Sequence, residues 1–316
     1  MKNFVRSIVL VAITVGLTGV VGEVMLRLKN SDQKNYVIEM WRYANNLKII
    51  ADDPDLGHIH QPGKEAILQG VKISINSLGM RGPEIQYSGL DKKTVLLLGS
   101  SITLGWGVNE DETVRAVLEK NLGNKFQVLN GGIGNYNVVR SVNNYEHRWR
   151  DVVRPDYIVL HYFINDAEYL SPSVENPIFR RSQLAVILYH IVQGLVQGSP
   201  DISALVKHYK NVYEPKSQGY EDMLVALDRL KEFAEKDGTK VILAMIPDIH
   251  QLQNYPFGFV HRKMQKLSAD RGWLYVDFLE QLGGYKGPEL WTIPGDPHPN
   301  GTVHGLMAKQ LSHSIK

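Results

Sequence analysis

The chain of 316 residues contains no cysteine. That absence excludes disulfides, thiolate metal sites and a cysteine nucleophile. It also excludes a bacterial lipid-anchored start, whose chemistry needs a cysteine. An excess of one charge is missing too, with 35 Lys and Arg against 33 Asp and Glu. No basic stripe with interleaved aromatics occurs, which argues against nucleic acid as a partner. What remains is ordinary for a globular protein: 43% apolar and 22% charged residues.

Acidic residues are absent from residues 1–22, which carry Lys2 and Arg6. Ser7 to Gly22 is uncharged, and Glu23 interrupts the run before Val24-Met25-Leu26. A positive start before a short apolar core reads as an export signal. The run is shorter than the ~20 residues that comfortably span a bilayer, and Val24–Leu26 extends it. Residues 1–30 are therefore a signal anchor or a signal peptide, with Val20 and Gly22 as the small residues of a cleavage site. The uncleaved anchor is preferred. In both cases the positive start stays cytoplasmic, and the remainder is periplasmic or extracellular.

Residues 31–93 read as an irregular, β-containing extension packed on the main domain. Asp52-Asp53-Pro54-Asp55-Leu56-Gly57 is rich in turn residues, and no full calcium-loop pattern follows it. Val71-Lys72-Ile73-Ser74-Ile75 alternates as a strand does.

From Thr94 onward the pattern is strand, helix, strand, helix. Val95-Leu96-Leu97-Leu98 is a short apolar run of the kind a central parallel strand shows. Phe126–Leu129, Tyr157–His161, Lys240–Ile246 and Trp273–Val276 follow as strands. Val114, Val117, Leu118 and Leu122 fall on one helical face, as do Met223, Leu224, Leu227, Leu230 and Phe233. Such alternation predicts an α/β fold with helices on both faces of a parallel sheet. Residues 170–218 interrupt it with a helical insertion. Within that insertion Gln183–Val196 reads as a core-packed helix, with a lid or a membrane-resting helix as the alternatives.

Four short blocks carry the chemistry. They are Gly99-Ser100-Ser101-Ile102-Thr103-Leu104-Gly105, Asn130-Gly131-Gly132-Ile133-Gly134-Asn135-Tyr136-Asn137, Phe163-Ile164-Asn165-Asp166 and Asp296-Pro297-His298-Pro299-Asn300. Each follows a strand, so all four can converge at one sheet edge. A serine hydroxyl is a weak nucleophile and needs a base within hydrogen-bond reach. Ser101 is the candidate nucleophile, His298 its base and Asp296 the carboxylate that fixes the imidazole tautomer. The oxyanion of acyl transfer needs fixed donors, which the N–H groups of Ser101 and Gly132 and the Asn165 amide can supply. Singly, each block is a common turn or cap. Together and in order, they specify a site.

These blocks resemble the SGNH (GDSL-like) hydrolase superfamily from about Thr94 to the C-terminus. Ser101, Gly132, Asn165 and His298 stand at its four named positions. Asn76-Ser77-Leu78-Gly79-Met80-Arg81-Gly82 is similar to an extension of its membrane-anchored or exported members. The resemblance implies a flavodoxin-like three-layer α/β/α sandwich with a five-stranded parallel sheet. It also implies hydrolysis of esters, often acyl or acetyl groups on carbohydrates or lipids, without metal or cofactor. Three positions depart from the family's usual pattern. Ser100 replaces the Asp of Gly-Asp-Ser and is expected to bond locally in its place. The catalytic Asp often lies three residues before the His, where this chain has Gly295, and Asp296 takes the role. Phe163 stands where many members have Gly.

Ser100 remains a rival nucleophile. Asp166 reads as a structural cap, His304 as a support residue, His161, His250 and His261 as structural residues, and His190 as a packed histidine. Trp106, Tyr136, Tyr162 and Trp291 lie near the blocks, as core packing or as a sugar-stacking wall. The expected function is an exported serine ester hydrolase. An acyltransferase on an extracellular polysaccharide and a non-catalytic glycan- or lipid-binding module are the alternatives. Oligomeric state is left open.

Overall fold

The computed structural model describes residues 2–85, 92–172, 176–197 and 201–315. Part of the loop expected over Ser171–Asn176 and residues 198–200 of the insertion therefore lie outside the described residues.

The apolar runs form five parallel strands. They are β1 (Lys93–Gly99), β2 (Phe126–Gly132), β3 (Tyr157–Tyr162), β4 (Lys240–Met245) and β5 (Leu274–Asp277). Their spatial order is β2-β1-β3-β4-β5, the flavodoxin-like order. In register, Leu96 faces Leu129 on one side and Ile158 on the other. Val95 through Leu98 are wholly buried, because a central strand of such a sheet is covered on both faces.

Side chains alternate across a strand, so each strand feeds both layers. Val95, Leu97, Val159, Ile242 and Ala244 pack on one face beneath helices Val114–Leu122 and Gly301–Ser314. Leu96, Leu98, Ile158, Leu160 and Leu243 pack on the other, beneath Val138–Asn144, Gln218–Asp237 and Gly258–Asp270. The predicted helical faces are the ones that pack: Val114, Leu118, Met223, Leu227 and Leu230 are wholly buried. The result is the expected three-layer α/β/α sandwich.

Before the sheet, Lys2–Lys29 is a single helix with no buried residue. It is long and apolar enough to cross a membrane, the one such helix among the described residues. Residues 31–93 hold more regular structure than their sequence suggests. Asn35 accepts from the Ile38 N–H at 3.2 Å and caps the helix Tyr36–Leu47. The inward face of that helix includes Glu39, which is wholly buried and paired with Arg42, so a charged residue hides the apolar period. Two hairpins follow, Lys48–Ile50 with His58–His60 and Glu65–Leu68 with Val71–Ser74. Tyr43, Leu47, Leu68, Ile73 and Ile75 then pack on Leu104 and Trp106, just downstream of Ser101.

Candidate active site

β1 ends at Gly99, and a one-turn helix, Ser101–Leu104, starts immediately after it. This turn raises the Ser101 hydroxyl at the carboxyl edge of the sheet, where crevices form. Opposite lies a short β-ribbon of Trp291–Ile293 and Asp296–Pro299. It places His298 Nε2 2.8 Å from Ser101 Oγ. His298 Nδ1 lies 2.6 Å from Asp296 Oδ1, which also accepts the His298 backbone N–H at 3.1 Å. A carboxylate only accepts, so Nδ1 carries the proton and Nε2 is left to accept from the serine.

Asp296 is wholly buried. Burial pushes its carboxyl up, but the His298 bonds and the Gln69 amide outweigh that and hold it below the usual range. Its second oxygen accepts from Gln69 Nε2 and, at 2.9 Å, from Trp106 Nε1. Gln69 sits at the tip of the second hairpin, with Gln69 and Gly70 both at positive φ. A Cβ on Gly107 would collide with the Gln69 side chain. Tyr36 adds a ring 5.7 Å from that of His298. Sequence reasoning missed Gln69, Tyr36 and the role of Trp106, because these reach the site only through tertiary packing. The one local signal is the pair Gln69-Gly70 between alternating strands.

Ser100 does not bond as expected: its side chain makes no cap hydrogen bond. Other groups hold the turn. Arg81, from the Asn76–Gly82 stretch, is buried and donates to the carbonyls of Leu104, Gly105 and Val108 at 3.0, 2.6 and 2.7 Å. Its Nε donates to Glu110 at 3.0 Å. Thr103 Oγ1 meets His161 Nδ1 at 3.1 Å.

The expected oxyanion donors differ in availability. The Ser101 N–H and the Asn165 side-chain amide have no acceptor among the described residues. Gly132 lies against the backbone of Thr103 and Leu104, so closely that a Cβ would clash. Its N–H already donates to Asn130 Oδ1 at 3.0 Å. Three residues on, Asn135 is exposed at φ 67°, and its N–H has no acceptor among the described residues. Asn135 and Asn165 line the same cavity of about 450 Å³, together with Lys48, His58 and Arg140.

The remaining candidates are structural. Asp166 accepts from the Phe163 N–H at 2.6 Å and shapes the Asn165 turn. His304 Nδ1 accepts from the Val114 N–H at 3.0 Å, at the start of a helix. His261 pairs with Asp277 and His250 with Asp248, both at 2.8 Å. Trp106, Tyr136 and Tyr162 are buried and form no open wall, Trp106 instead holding Asp296, while Trp291 is half-buried.

The profile of the GDSL-like Lipase/Acylhydrolase family matches residues 97–306, which span all four blocks. None of the curated proteins compared matches the chain. Among solved structures, the psychrotrophic esterase EstA from Pseudoalteromonas sp. is 15% identical, covering 71% of this chain and 97% of its own, at a TM-score of 0.43. An acetyl-xylooligosaccharide esterase from Geobacillus Stearmophilus is 16% identical, covering 72% and 95%, at 0.46. A lipase/acylhydrolase from Enterococcus faecalis is 13% identical, covering 71% and 95%, at 0.43. By the family match the chain belongs to the GDSL-like lipase/acylhydrolase family, a family of carboxylic ester hydrolases.

Proposed function

We propose that the chain is a membrane-anchored, exported serine esterase that works through an acyl-enzyme on acylated, including acetylated, carbohydrates or lipids. One observation carries this reading. The unbroken relay from Ser101 Oγ through His298 to the buried Asp296 carboxylate, at 2.8 and 2.6 Å, is what serine acyl transfer requires.

Ser101 Oγ attacks the ester carbonyl while its proton passes to His298 Nε2. Asp296 holds the imidazole in place and stabilises the imidazolium. The carbonyl oxygen becomes an oxyanion facing the N–H groups of Ser101 and Asn135 and the Asn165 amide. In this reading Asn135 takes the donor role expected of Gly132, whose N–H is committed to Asn130. The tetrahedral intermediate collapses, His298 returns the proton to the leaving alkoxide, and the alcohol departs. Water then attacks the acyl-serine by the same base, and the acid is released.

In this reading the N-terminal helix is an uncleaved anchor, supported by the bonds of its Glu23, and of Asn30 just after it, to the start of helix Gln183–Gln197. Lys2 and Arg6 then stay on the cytoplasmic side, and the site is outside.

A panel of acetyl esters, long-chain esters and O-acetylated polysaccharides, assayed with wild type, Ser101→Ala and Ser100→Ala, tests the reading. Turnover that survives Ser100→Ala and vanishes in Ser101→Ala is expected. Equal turnover in wild type and Ser101→Ala overturns it. Transfer of acetyl to an added glycan, in place of free acetate, would assign the same acyl-enzyme to an acyltransferase.

A further inference from the structure

Helix Gln183–Gln197 does not pack into the core, which is the arrangement the sequence favoured. Leu188, Tyr189, Ile191, Val192 and Leu195 are exposed, Leu195 at 81%. From Ser182 to Pro200 the sequence holds no Asp, Glu, Lys or Arg. An apolar patch of this kind on a water-exposed surface marks a contact surface.

The start of this helix is fastened to the N-terminal helix Lys2–Lys29. Glu23 Oε2 accepts from Ser182 Oγ and from the Leu184 N–H, both at 2.9 Å. Glu23 Oε1 accepts from the Gln183 N–H at 3.1 Å and from Arg27 Nε at 2.7 Å. Asn30 Nδ2 donates to Gln183 Oε1 at 3.1 Å, and Arg27 donates to the Arg181 carbonyl at 2.9 Å. The carboxylate that breaks the apolar run of the first helix thus caps the second, satisfying N–H groups that a helix start leaves open. Leu184 lies over Gly22, where an added Cβ would come within 3.6 Å of it.

Length decides what this second helix can do. Its 15 residues extend about 22 Å at ~1.5 Å per residue, short of the ~30 Å hydrocarbon core. It cannot cross a bilayer. It can lie in the interface with its apolar side chains among acyl chains. At its base Arg27, Arg180, Arg181 and Trp41 line one cavity, and Arg and Trp are the residues that settle at headgroup level.

We propose that Gln183–Gln197 is a second membrane-contacting element. It embeds Leu188, Ile191, Val192 and Leu195 in the outer leaflet of the bilayer that Lys2–Lys29 crosses, and Glu23 locks the two helices together. The proposal rests on the reading that the N-terminal helix stays attached. Two points of membrane contact fix the orientation of the catalytic domain, which a lone anchor leaves free to swivel.

The native chain has no cysteine, so single labels are unambiguous. The full-length protein carries an environment-sensitive fluorophore at Ile191→Cys, Leu195→Cys, Val11→Cys or Val225→Cys. Each variant is reconstituted in phosphatidylcholine–phosphatidylglycerol vesicles with and without doxyl-labelled lipid. Labels at 191 and 195 are expected to shift to the blue and to lose emission to doxyl lipid, as at 11. The label at 225, on helix Gln218–Asp237, is expected to respond to aqueous iodide alone. Labels at 191 and 195 that follow the one at 225, or that neither quencher reaches, overturn the proposal. If 11 reports lipid while 191 and 195 report water, the anchor stands and this inference fails. Intact mass of the purified chain shows separately whether the first helix is retained: its loss overturns the anchor reading and the proposal with it, whereas labels at 191 and 195 in water on an intact chain overturn the proposal alone.

Discussion

Asp296 shows how much of the site rests on single residues. Its two oxygens serve different ends, one orienting His298 and the other held by Gln69 and Trp106. A hydrogen bond to a charged group contributes about 1.5–3 kcal/mol. Gln69→Leu should therefore lower kcat by about tenfold or more, with KM little changed, in steady-state assays on an acetyl ester. The proposed oxyanion donors separate in the same way. Asn165→Ala should cost about 3 kcal/mol of barrier, on the order of a hundredfold in kcat. Asn135→Gly keeps the N–H and suits the left-handed backbone, so it should stay active. Gly132→Ala should lose folded protein, because its Cβ meets the Thr103–Leu104 backbone; circular dichroism and assay together distinguish these outcomes. Ser101, Asn165, Asp296 and His298 were legible as candidates because they fall in short blocks, Ser101 and Asn165 just after a strand and Asp296 and His298 together in one block of the β-ribbon. Gln69, Tyr36 and Asn135 were not. The first two enter from the extension through folding, and the third is proposed only because the Gly132 N–H is spent on Asn130.

At the scale of elements, the flavodoxin-like strand order followed only from the family resemblance, whereas the strands themselves could be read because β1, β3 and β4 carry nearly unbroken apolar runs. Helix Tyr36–Leu47 could not, because buried Glu39 interrupts its apolar face. The stretch Asn76–Gly82 is legible as a motif, but its work becomes visible only in three dimensions. Arg81 threads the extension into the turn after Ser101 and caps three carbonyls there. Arg81→Met removes one donor from each of those carbonyls and from Glu110, which keeps Arg115, while the Leu104 carbonyl keeps Asn130 Nδ2. Leaving buried polar groups short of a donor in this way costs about 1–3 kcal/mol. Urea denaturation of the variant should show a loss of that size, with fluorescence of the neighbouring Trp106 reporting the same transition. A loss below about 1 kcal/mol, the range of a surface pair, would show that the extension is not built into the nucleophile turn.

For the whole molecule, stability should depend on pH in two opposed ways. Burial holds His58, His60, His161 and His304 down from the ordinary 6.5 to about 3. These groups stay neutral in the fold while the unfolded chain takes up protons, so stability falls as pH drops below about 6.5. Burial raises Asp166 from 3.8 to about 8, against the opposing bond from the Phe163 N–H. Its folded form keeps a proton the unfolded chain has released, so its contribution is fully present below 3.8 and is lost as pH rises towards 8. Thermal melts should therefore peak between about pH 6 and 7. Asp166→Asn keeps an acceptor for the Phe163 N–H and should remove the alkaline decline while leaving the acid limb unchanged.

The central claim is that Ser101 is a nucleophile activated by His298 and Asp296. Its most direct test is covalent: a fluorophosphonate probe added to the full-length protein, with the modified residue located by peptide mass spectrometry. A single adduct on Ser101 is expected, absent in Ser101→Ala and slowed by orders of magnitude in His298→Ala. Folded wild-type protein that takes up no probe, or that carries it on Ser100, would contradict the account.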